Sequence, residues 1–342
     1  LIWALLIMSL ATSTIITMSS NHWLLAWLGL ELNTLSILPI IMKPHHPRAT
    51  EATTKYFLIQ VTASSLVLFA STMNAWQTGQ WAISQSTPTA TTIITIAIML
   101  KLGLAPVHLW YPNVLQGATM HTALIISTWQ KMAPLTLLYL IHNHLNHTTV
   151  LCLGLLSALI GGWGGLNQTQ TRKIMAFSSI AHMGWLITAL TLNPDIMALT
   201  LLVYLIMTTT MFTTLATTAA KTLTDIGTIW PLSPTMLTTT MITLMSLGGL
   251  PPLTGFIPKW LILKELTTTN LLPLSMLLLT TSLPSLFFYI RMAYFTVLTT
   301  PPSTTNTEHK WRFKTNPNTS LAPLLMTSML LLPVTTTLYT IT

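Results

Sequence analysis

Residues 246–260 read SLGGLPPLTGFIPKW, and they lie inside a longer apolar segment that runs roughly from 235 to 266. Pro251 and Pro252 each remove a backbone donor and clash with the preceding turn, so a regular helix cannot continue through them. Lys259 lies about one to two helical turns beyond this break. If the segment spans a membrane, the stretch predicts a discontinuous helix with a lysine beside the break. The alternative is a simple proline kink.

The composition predicts that the segment does span a membrane. The chain has 342 residues, of which 51% are hydrophobic and only 6% are charged, and its mean hydropathy is +0.65. Soluble domains are about 25% charged, so a soluble fold would have no solvated surface here. We identify about eleven apolar segments, which lie roughly at 1–18, 23–42, 54–73, 91–109, 119–141, 149–166, 173–192, 196–219, 235–266, 272–297 and 320–341.

These segments are long and apolar all round, which favours helices over the short alternating strands of a barrel. The predicted fold is an all-α polytopic membrane protein of about eleven transmembrane helices. We expect one transmembrane domain over residues 1–342 and no soluble domain. The first segment has no positively charged region and no cleavage pattern, so it predicts a span rather than a signal peptide.

Several classes of site are disfavoured. The net charge of +8 is scattered, without the basic stripe of a nucleic-acid-binding protein, so the predicted surroundings are a lipid bilayer. The single cysteine, Cys152, excludes an intrachain disulfide and predicts a small buried apolar side chain. The glycines of GGWGG at 161–165 predict close helix packing and match no nucleotide motif. HNHLNH at 142–147 lacks the cysteine or carboxylate neighbours of a metal site. We expect no cofactor and no metal on this chain.

The orientation follows from basic residues in the loops. They fall on one side if the eleven segments alternate across the membrane: Lys43, Arg48, Lys55, Arg172, Lys173, Lys221, Lys310, Arg312 and Lys314. Loops 74–90 and 142–148, on the opposite side, contain no Lys or Arg. The positive-inside rule makes the basic side cytoplasmic or matrix. The N-terminus then lies on that side and the C-terminus across the membrane.

A second segment is also interrupted. The sequence KLGLAP at 101–106 places Gly103 and Pro106 directly after Lys101. Unpaired backbone at membrane depth is tolerated only within protein or beside a watery cavity, and discontinuous helices are a common transporter device for ion sites. The alternative is again a proline kink, which accounts less well for the break at Pro251 and Pro252.

Four charged residues lie near the middle of apolar segments: Glu31, Lys101, Lys131 and Lys259. A charge at the bilayer centre costs at least ~2.5–3.5 kcal/mol, so such residues usually have a function. Burial disfavours the charged form of both lysine and glutamate, so neighbouring charges can switch their proton occupancy. The four residues therefore predict a proton-transfer row. The alternative is a structural ion pair, but one carboxylate cannot pair with three lysines.

Two histidines are candidate relays for the same protons. His108 lies in APVHLW and His182 in SSIAHMGWL. A histidine titrates near neutral pH and can pass protons through water. The alternative for each is a hydrogen-bonded packing histidine.

Five segments of the sequence carry a family resemblance. The segments that carry it are SSNHWLLAWLGLELNTLSILPI (19–40), HHPRATEATTKYFLIQ (45–60), KLGLAPVHLWYP (101–112), GGWGGLNQTQTRKIMAFSSIAHMGW (161–185) and SLGGLPPLTGFIPKW (246–260). They resemble the NADH–ubiquinone oxidoreductase chain 2 family, mitochondrially encoded in vertebrates, over essentially the whole chain. The last two motifs are highly specific. The animal members have eleven spans and lack three N-terminal helices of their bacterial relatives.

The resemblance implies an antiporter-like fold and a place in the membrane arm of respiratory complex I, next to other antiporter-like subunits in the mitochondrial inner membrane. It also implies proton-transfer roles for Glu31, Lys101, Lys131 and Lys259. NADH, FMN, iron–sulfur clusters and ubiquinone would be bound by other subunits. In many relatives the sequence after the HxW motif reads PEV, whereas Pro112, Asn113 and Val114 stand here.

The resulting hypothesis is a proton-translocating subunit that couples NADH oxidation and ubiquinone reduction to proton pumping. Two alternatives stay open. One is a free-standing cation/proton antiporter, which copurification with a redox assembly would exclude. The other is a structural spacer without proton transfer, for which replacing the charged residues would affect assembly alone.

Overall fold

A computed structural model describes residues 2–227, 234–298 and 321–330. Within these ranges the chain is helical, and β pairing is limited to two isolated bridges, His22 with Ala82 and Gln170 with Thr222. The predicted all-α class is confirmed. The basic residues predicted at 310–314 lie outside the described residues.

The chain forms two compact units, residues 1–157 and 158–342. The helices, numbered in chain order, are α1 (Ile2–Ser19), α2 (Trp23–Met42), α3 (Pro47–Thr78), α4 (Pro88–Leu102), α5 (Trp110–Gly117), α6 (Met120–Ser127), α7 (Trp129–Leu140), α8 (His147–Gly165), α9 (Thr171–Leu192), α10 (Pro194–Thr218), α11 (Leu223–Gly227), α12 (Pro234–Gly248), α13 (Phe256–Thr268), α14 (Leu272–Leu298) and α15 (Leu321–Leu330). The prediction of a single transmembrane domain stays a prediction.

Seven of these helices are long and apolar enough to span a bilayer: α1, α2, α3, α8, α9, α10 and α14. Four predicted segments remain. In three of them the helix is interrupted, and in the last one the structure describes α15. Each predicted apolar segment therefore contains helix.

Both predicted interruptions are confirmed, and both are built in the same way. Gly103 and Gly249 adopt the left-handed conformation, with φ of 72° and 80°. The amide of Gly103 donates to the carbonyl of Leu100, and that of Gly249 to the carbonyl of Ser246. The next amide in each case reaches one residue further back, to Met99 and Met245. This is the Schellman ending, which favours glycine because of its positive φ.

The structure contains a third interruption that the sequence analysis missed. Thr128 separates α6 from α7, with φ −113° and ψ −71°. Its backbone amide and its hydroxyl both donate to the carbonyl of Leu124, at 3.0 and 2.7 Å. Pro134 lies six residues on and removes a donor from α7. The break is only one residue long, so it leaves no glycine or double proline as a sequence signal.

Several loops of the first unit meet at one of its ends. At this end the turn at 20–22 meets the loop at 79–87, since Trp23 and Ile83 donate their amides across to Trp81 and Asn21. His144 also contacts the carbonyl of Ser84, at 2.9 Å. The residues 74–90 and 142–148 therefore meet at the same end, as the topology prediction requires.

The basic turns of the second unit also meet. Thr171 donates its amide to Lys221, and Leu223 donates to Thr169, which joins the turn before α9 to the turn after α10. Arg291 donates to the carbonyls of Leu166 and Gln168 at this same end. The basic residues flanking these turns thus share one end of their unit.

Helix α8 confirms one sequence prediction and corrects another. A Cβ added at Gly161 would lie 2.5 Å from the amide nitrogen of Ala181, so the glycines bring α8 against α9. Cys152 was predicted to be buried, but it is exposed. A helix in lipid has no need to turn its apolar residues inward, so an apolar run does not predict burial in the protein.

Candidate proton-transfer site

Lys101 and Lys131 line one cavity in the first unit, which we call the central cavity. It is lined by Leu30, Asn33, Thr34, Tyr56, Gln60, Lys101, Leu102, Trp110, Tyr111, Ile126, Gln130, Lys131 and Pro134. The space open to the centres of water molecules is about 20 Å³. About 10–15 Å³ suffices for one water, so the cavity is large enough to be hydrated.

Lys101 is the penultimate residue of α4, and only 6% of it is exposed. Its ammonium nitrogen has no hydrogen-bond partner among the described residues. The C-terminal end of a helix carries a partial negative charge, which favours a cation in the last turn. The break after Leu102 therefore places the ammonium in a field that supports its charge without tying it to one acceptor.

Lys131 is 2% exposed and is the third residue of α7. Its ammonium lies 5.1 Å from the ring centroid of Tyr111, within the range of a cation–π contact. The first turn of a helix carries partial positive charge, which opposes a cation. The one-residue break at Thr128 thus gives Lys131 a less favourable field than Lys101 has. Two lysines that differ in this way can exchange a proton through the cavity between them.

Neutral polar side chains complete the central cavity. Gln130 donates to the side-chain oxygen of Asn33 at 3.0 Å and accepts from the hydroxyl of Tyr56 at 3.4 Å. Gln60 donates to the backbone carbonyl of Lys101 at 3.3 Å. These bonds link α2, α3, α4 and α7 around the two lysines. Sequence analysis missed these residues, although polar side chains within apolar segments are a usable signal.

Glu31 lies beside this site and is partly buried. One carboxylate oxygen accepts from the hydroxyl of Ser64, and the other accepts from Thr34 at 3.1 Å. Glu31 attracts Lys101 electrostatically, but among the described residues no carboxylate oxygen lies within 4.0 Å of the ammonium. The predicted Glu31–Lys101 pair is therefore not formed here, and its formation in another functional state stays a prediction.

Lys259 lies in the first turn of α13, in the second unit. Its ammonium donates to the carbonyl of Gly248, the last residue of α12, at 2.9 Å. It also lies 6.0 Å from the ring centroid of Trp185. The carbonyl of Gly248, which the break frees from the helix, is thus satisfied by Lys259 itself. The lysine bridges the two halves of the interrupted helix.

His182 shares a cavity with Lys259, which we call the second cavity. It offers about 30 Å³ to water centres, and its lining also includes Trp185, Tyr204 and Pro258. The imidazole of His182 lies 3.3 Å from the hydroxyl of Tyr289. A relay role for His182 stays a prediction. The structure places this histidine beside a hydratable space that Lys259 also lines.

His108, the other candidate relay, lines neither cavity. It is 9% exposed, and its Nδ1 lies 3.2 Å from the carbonyl of Pro106 in the break after α4. This geometry favours the packing alternative, in which the ring satisfies the turn.

Comparisons with known proteins identify the class. Residues 20–284 match the family model described as NADH:quinone oxidoreductase/Mrp antiporter, TM, and residues 286–339 match the model of the NADH dehydrogenase subunit 2 C-terminus. The fold superposes on a chain of respiratory complex I from Thermus thermophilus with bound aureothin. That match has a TM-score of 0.82 at 25% identity and covers 97% of this chain and 79% of that chain. The protein is thus a membrane subunit of the antiporter-like class.

Curated relatives narrow the class further. The chain is 51% identical to NADH-ubiquinone oxidoreductase chain 2 of Coturnix japonica, over 96% of this chain and 95% of that protein. It is 52% identical to the protein of the same name from Varanus timorensis, over 97% and 96%. The chain belongs to the NADH-ubiquinone oxidoreductase chain 2 family.

Proposed function

We propose that the chain is a proton-translocating subunit in the membrane arm of respiratory complex I. It takes part in coupling NADH oxidation and ubiquinone reduction to proton pumping, through Glu31, Lys101, Lys131 and Lys259. NADH, FMN, the iron–sulfur clusters and ubiquinone belong to other subunits of the assembly. Its neighbours are other membrane-arm subunits, including antiporter-like ones, and the surrounding lipid.

The observation that carries this proposal is the central cavity. Two buried lysines line one hydratable space, and no carboxylate is among its lining residues. A purely structural site would pair the Lys101 ammonium with an anion, because an isolated buried charge is costly. That ammonium has no hydrogen-bond partner among the described residues and faces a hydratable space that a second lysine also lines, which supports a movable proton.

The membrane is the mitochondrial inner membrane, with the N-terminus on the matrix side and the C-terminus in the intermembrane space. The common end of loops 74–90 and 142–148, and the meeting of the basic turns in the second unit, support this sidedness. Protease protection in intact mitoplasts tests it. Cleavage at 142–148 from the matrix side would overturn the topology.

The function is tested by Lys131→Met in the assembled complex, with Lys264→Met as the matched control. Lys264 lies on the exposed surface of α13. Proton transfer by a positioned group typically contributes about 10²–10⁴-fold to a reaction rate. We therefore expect the rates of proton pumping and of coupled NADH:ubiquinone turnover to fall by at least about tenfold. Lys264→Met should leave both unchanged.

The same experiment separates the alternatives. An unchanged pumping rate in an intact Lys131→Met complex would favour the structural spacer. If the chain purified without any redox subunit and exchanged cations for protons alone, the free-standing antiporter would replace the proposal.

A further inference from the structure

A second polar space lies at the basic end of the first unit, between α3 and α5. We call it the vestibule and define it by Arg48, Glu51 and Lys55 of α3 and Asn113 and Gln116 of α5. It offers about 120 Å³ to water centres, room for several water molecules. Lys55 and Glu51 form an ion pair at its edge.

The vestibule and the central cavity follow the same seam between two helices. The helices pack closely at the outer end, where a Cβ on Gly117 would meet the carbonyl of Arg48 at 2.5 Å. On α3 the vestibule ends at Lys55 and the lining of the central cavity begins at Tyr56. On α5, Asn113 lines the vestibule, and Trp110, about one turn away, lines the central cavity.

An aromatic pair lines the central cavity where it approaches the vestibule, and neither ring lines the vestibule. The rings of Tyr56 and Trp110 meet edge to face, with centroids 5.9 Å apart and an interplanar angle of 63°. Both residues are buried, at 2% and 5% exposure. Tyr111 also packs edge to face against Trp110, with centroids 5.6 Å apart. The hydroxyl of Tyr56 donates to Gln130, which lines the central cavity, so the polar group of the pair serves the inner space rather than the vestibule.

The inner face of the pair bears an unusual polar group. The indole N–H of Trp110 is buried and has no hydrogen-bond partner among the described residues, and the same is true of the Lys101 ammonium. Both side chains line the central cavity. Buried donors are normally satisfied, so both point to a water site. Water in the central cavity can accept from each of these donors, and Trp110 belongs to the aromatic pair itself.

We propose that the α3–α5 seam is the route by which protons reach the Lys101–Lys131 pair, and that Tyr56 and Trp110 form its gate, which is closed in this structure. This rests on the proposed function, and it assigns the vestibule to the matrix side. Opening requires the Trp110 ring to move. Trp110 is the first residue of an eight-residue helix and follows the non-helical residues 103–109. Its backbone is therefore held by helical hydrogen bonds on one side only.

Cysteine accessibility in the assembled complex tests the route. In a Cys152→Ala background, Asn113→Cys reports on the vestibule and Gln60→Cys on the central cavity. Each is combined with native Trp110 or with Trp110→Ala. A charged, membrane-impermeant methanethiosulfonate is added from the matrix side, and labelling of this chain is measured by mass spectrometry.

We expect Asn113→Cys to react in both backgrounds. Gln60→Cys should be protected when Trp110 is present and should react at least tenfold faster with Trp110→Ala. The matched control is Trp163→Ala, since Trp163 is 73% exposed on α8 and its removal should leave Gln60→Cys protected. Equal labelling of Gln60→Cys with and without Trp110, or labelling of Asn113→Cys only from the intermembrane-space side, would overturn the route.

A functional measurement accompanies the labelling. A gate held open should let protons leak, so Trp110→Ala should lower the number of protons pumped per NADH, while Trp110→Phe, which keeps a ring, should restore most of the ratio. If Lys131→Met abolishes pumping but Trp110→Ala changes neither labelling nor the ratio, the proposed function stands and the route is wrong. If Lys131→Met leaves pumping intact, the proposed function itself fails, whatever the labelling shows.

Discussion

The breaks after α4 and after α12 share a backbone design but use their lysines differently. Each helix ends in a left-handed glycine, Gly103 or Gly249, followed three residues later by a proline. Lys101 precedes its glycine and belongs to the helix that ends there. Lys259 belongs to the following helix and reaches back to the last carbonyl of α12. Both ammoniums therefore lie near the negative end of a half-helix, but only Lys259 is bonded to it.

The two buried lysines therefore differ in whether their ammonium is hydrogen-bonded to the protein. The Lys101 ammonium faces a cavity that it shares with a second lysine, and it has no hydrogen-bond partner among the described residues. The Lys259 ammonium is held by Gly248 and also stabilises the break. Under the proposed function, Lys101 can exchange its proton without breaking a hydrogen bond to any described residue. Losing the proton at Lys259 would also weaken the bridge between the halves of its helix, so its occupancy is coupled to local structure.

The largest expected effect comes from closing the space inside the second break. A Cβ on Gly255 would lie 1.8 Å from the carbonyl oxygen of Ser246, so Gly255→Ala must push α12 and α13 apart. Overpacking typically costs about 1–3 kcal/mol, and a contact with rigid backbone should exceed that range. We expect the chain to be lost from the assembled complex, measured by native gel electrophoresis.

Gly248→Ala is the matched control in the same break. Its Cβ would meet nothing closer than 3.8 Å, so the complex should assemble normally. Equal assembly of the two variants would show that the break is loosely packed and would remove the basis of the comparison.

The next prediction compares the two lysines directly. Lys259→Met removes a hydrogen bond from a charged donor, and such bonds contribute about 1.5–3 kcal/mol. Lys101→Met removes a buried cation with no bonded partner, which should be neutral or stabilising. We expect both variants to lose coupled turnover, but only Lys259→Met to lower the thermal stability of the complex. Equal melting temperatures would mean that the Lys259–Gly248 bond contributes nothing, and the contrast between the breaks would disappear.

The sequence predicted the helical class and both long breaks because their causes are local. Prolines remove donors wherever they occur, and a glycine three residues earlier supplies the required positive φ. The sequence could not predict that Lys259 bonds Gly248, since that contact depends on the path of the seven residues between α12 and α13. The break at Thr128 was missed because a one-residue interruption needs no special residue.

The candidate proton-transfer site could also be predicted only in part. Charged residues inside apolar segments identified the four candidate positions, but which of them share a cavity depends on tertiary packing. Packing brought Lys101 and Lys131 together and placed His182 beside Lys259, whereas His108 lies at neither cavity. The exposure of Cys152 has the same origin, because hydropathy cannot distinguish a lipid-facing position from a core position.

The smallest expected effect concerns Glu31, the carboxylate that lies beside the central cavity and accepts from Thr34 in its lining. Glu31→Gln keeps the shape and one acceptor oxygen for Ser64 or Thr34, with an NH2 donor in place of the other oxygen, and it removes the attraction for Lys101. At more than 4 Å this attraction is about 4 kcal/mol or less at the effective dielectric of a protein site. We expect turnover and pumping to fall several-fold with assembly intact, while Glu265→Gln on α13 changes neither. Because the two groups are not paired in this structure, a full pumping rate in Glu31→Gln would show that they do not pair in any state that limits turnover. The proton path would then begin at Lys101.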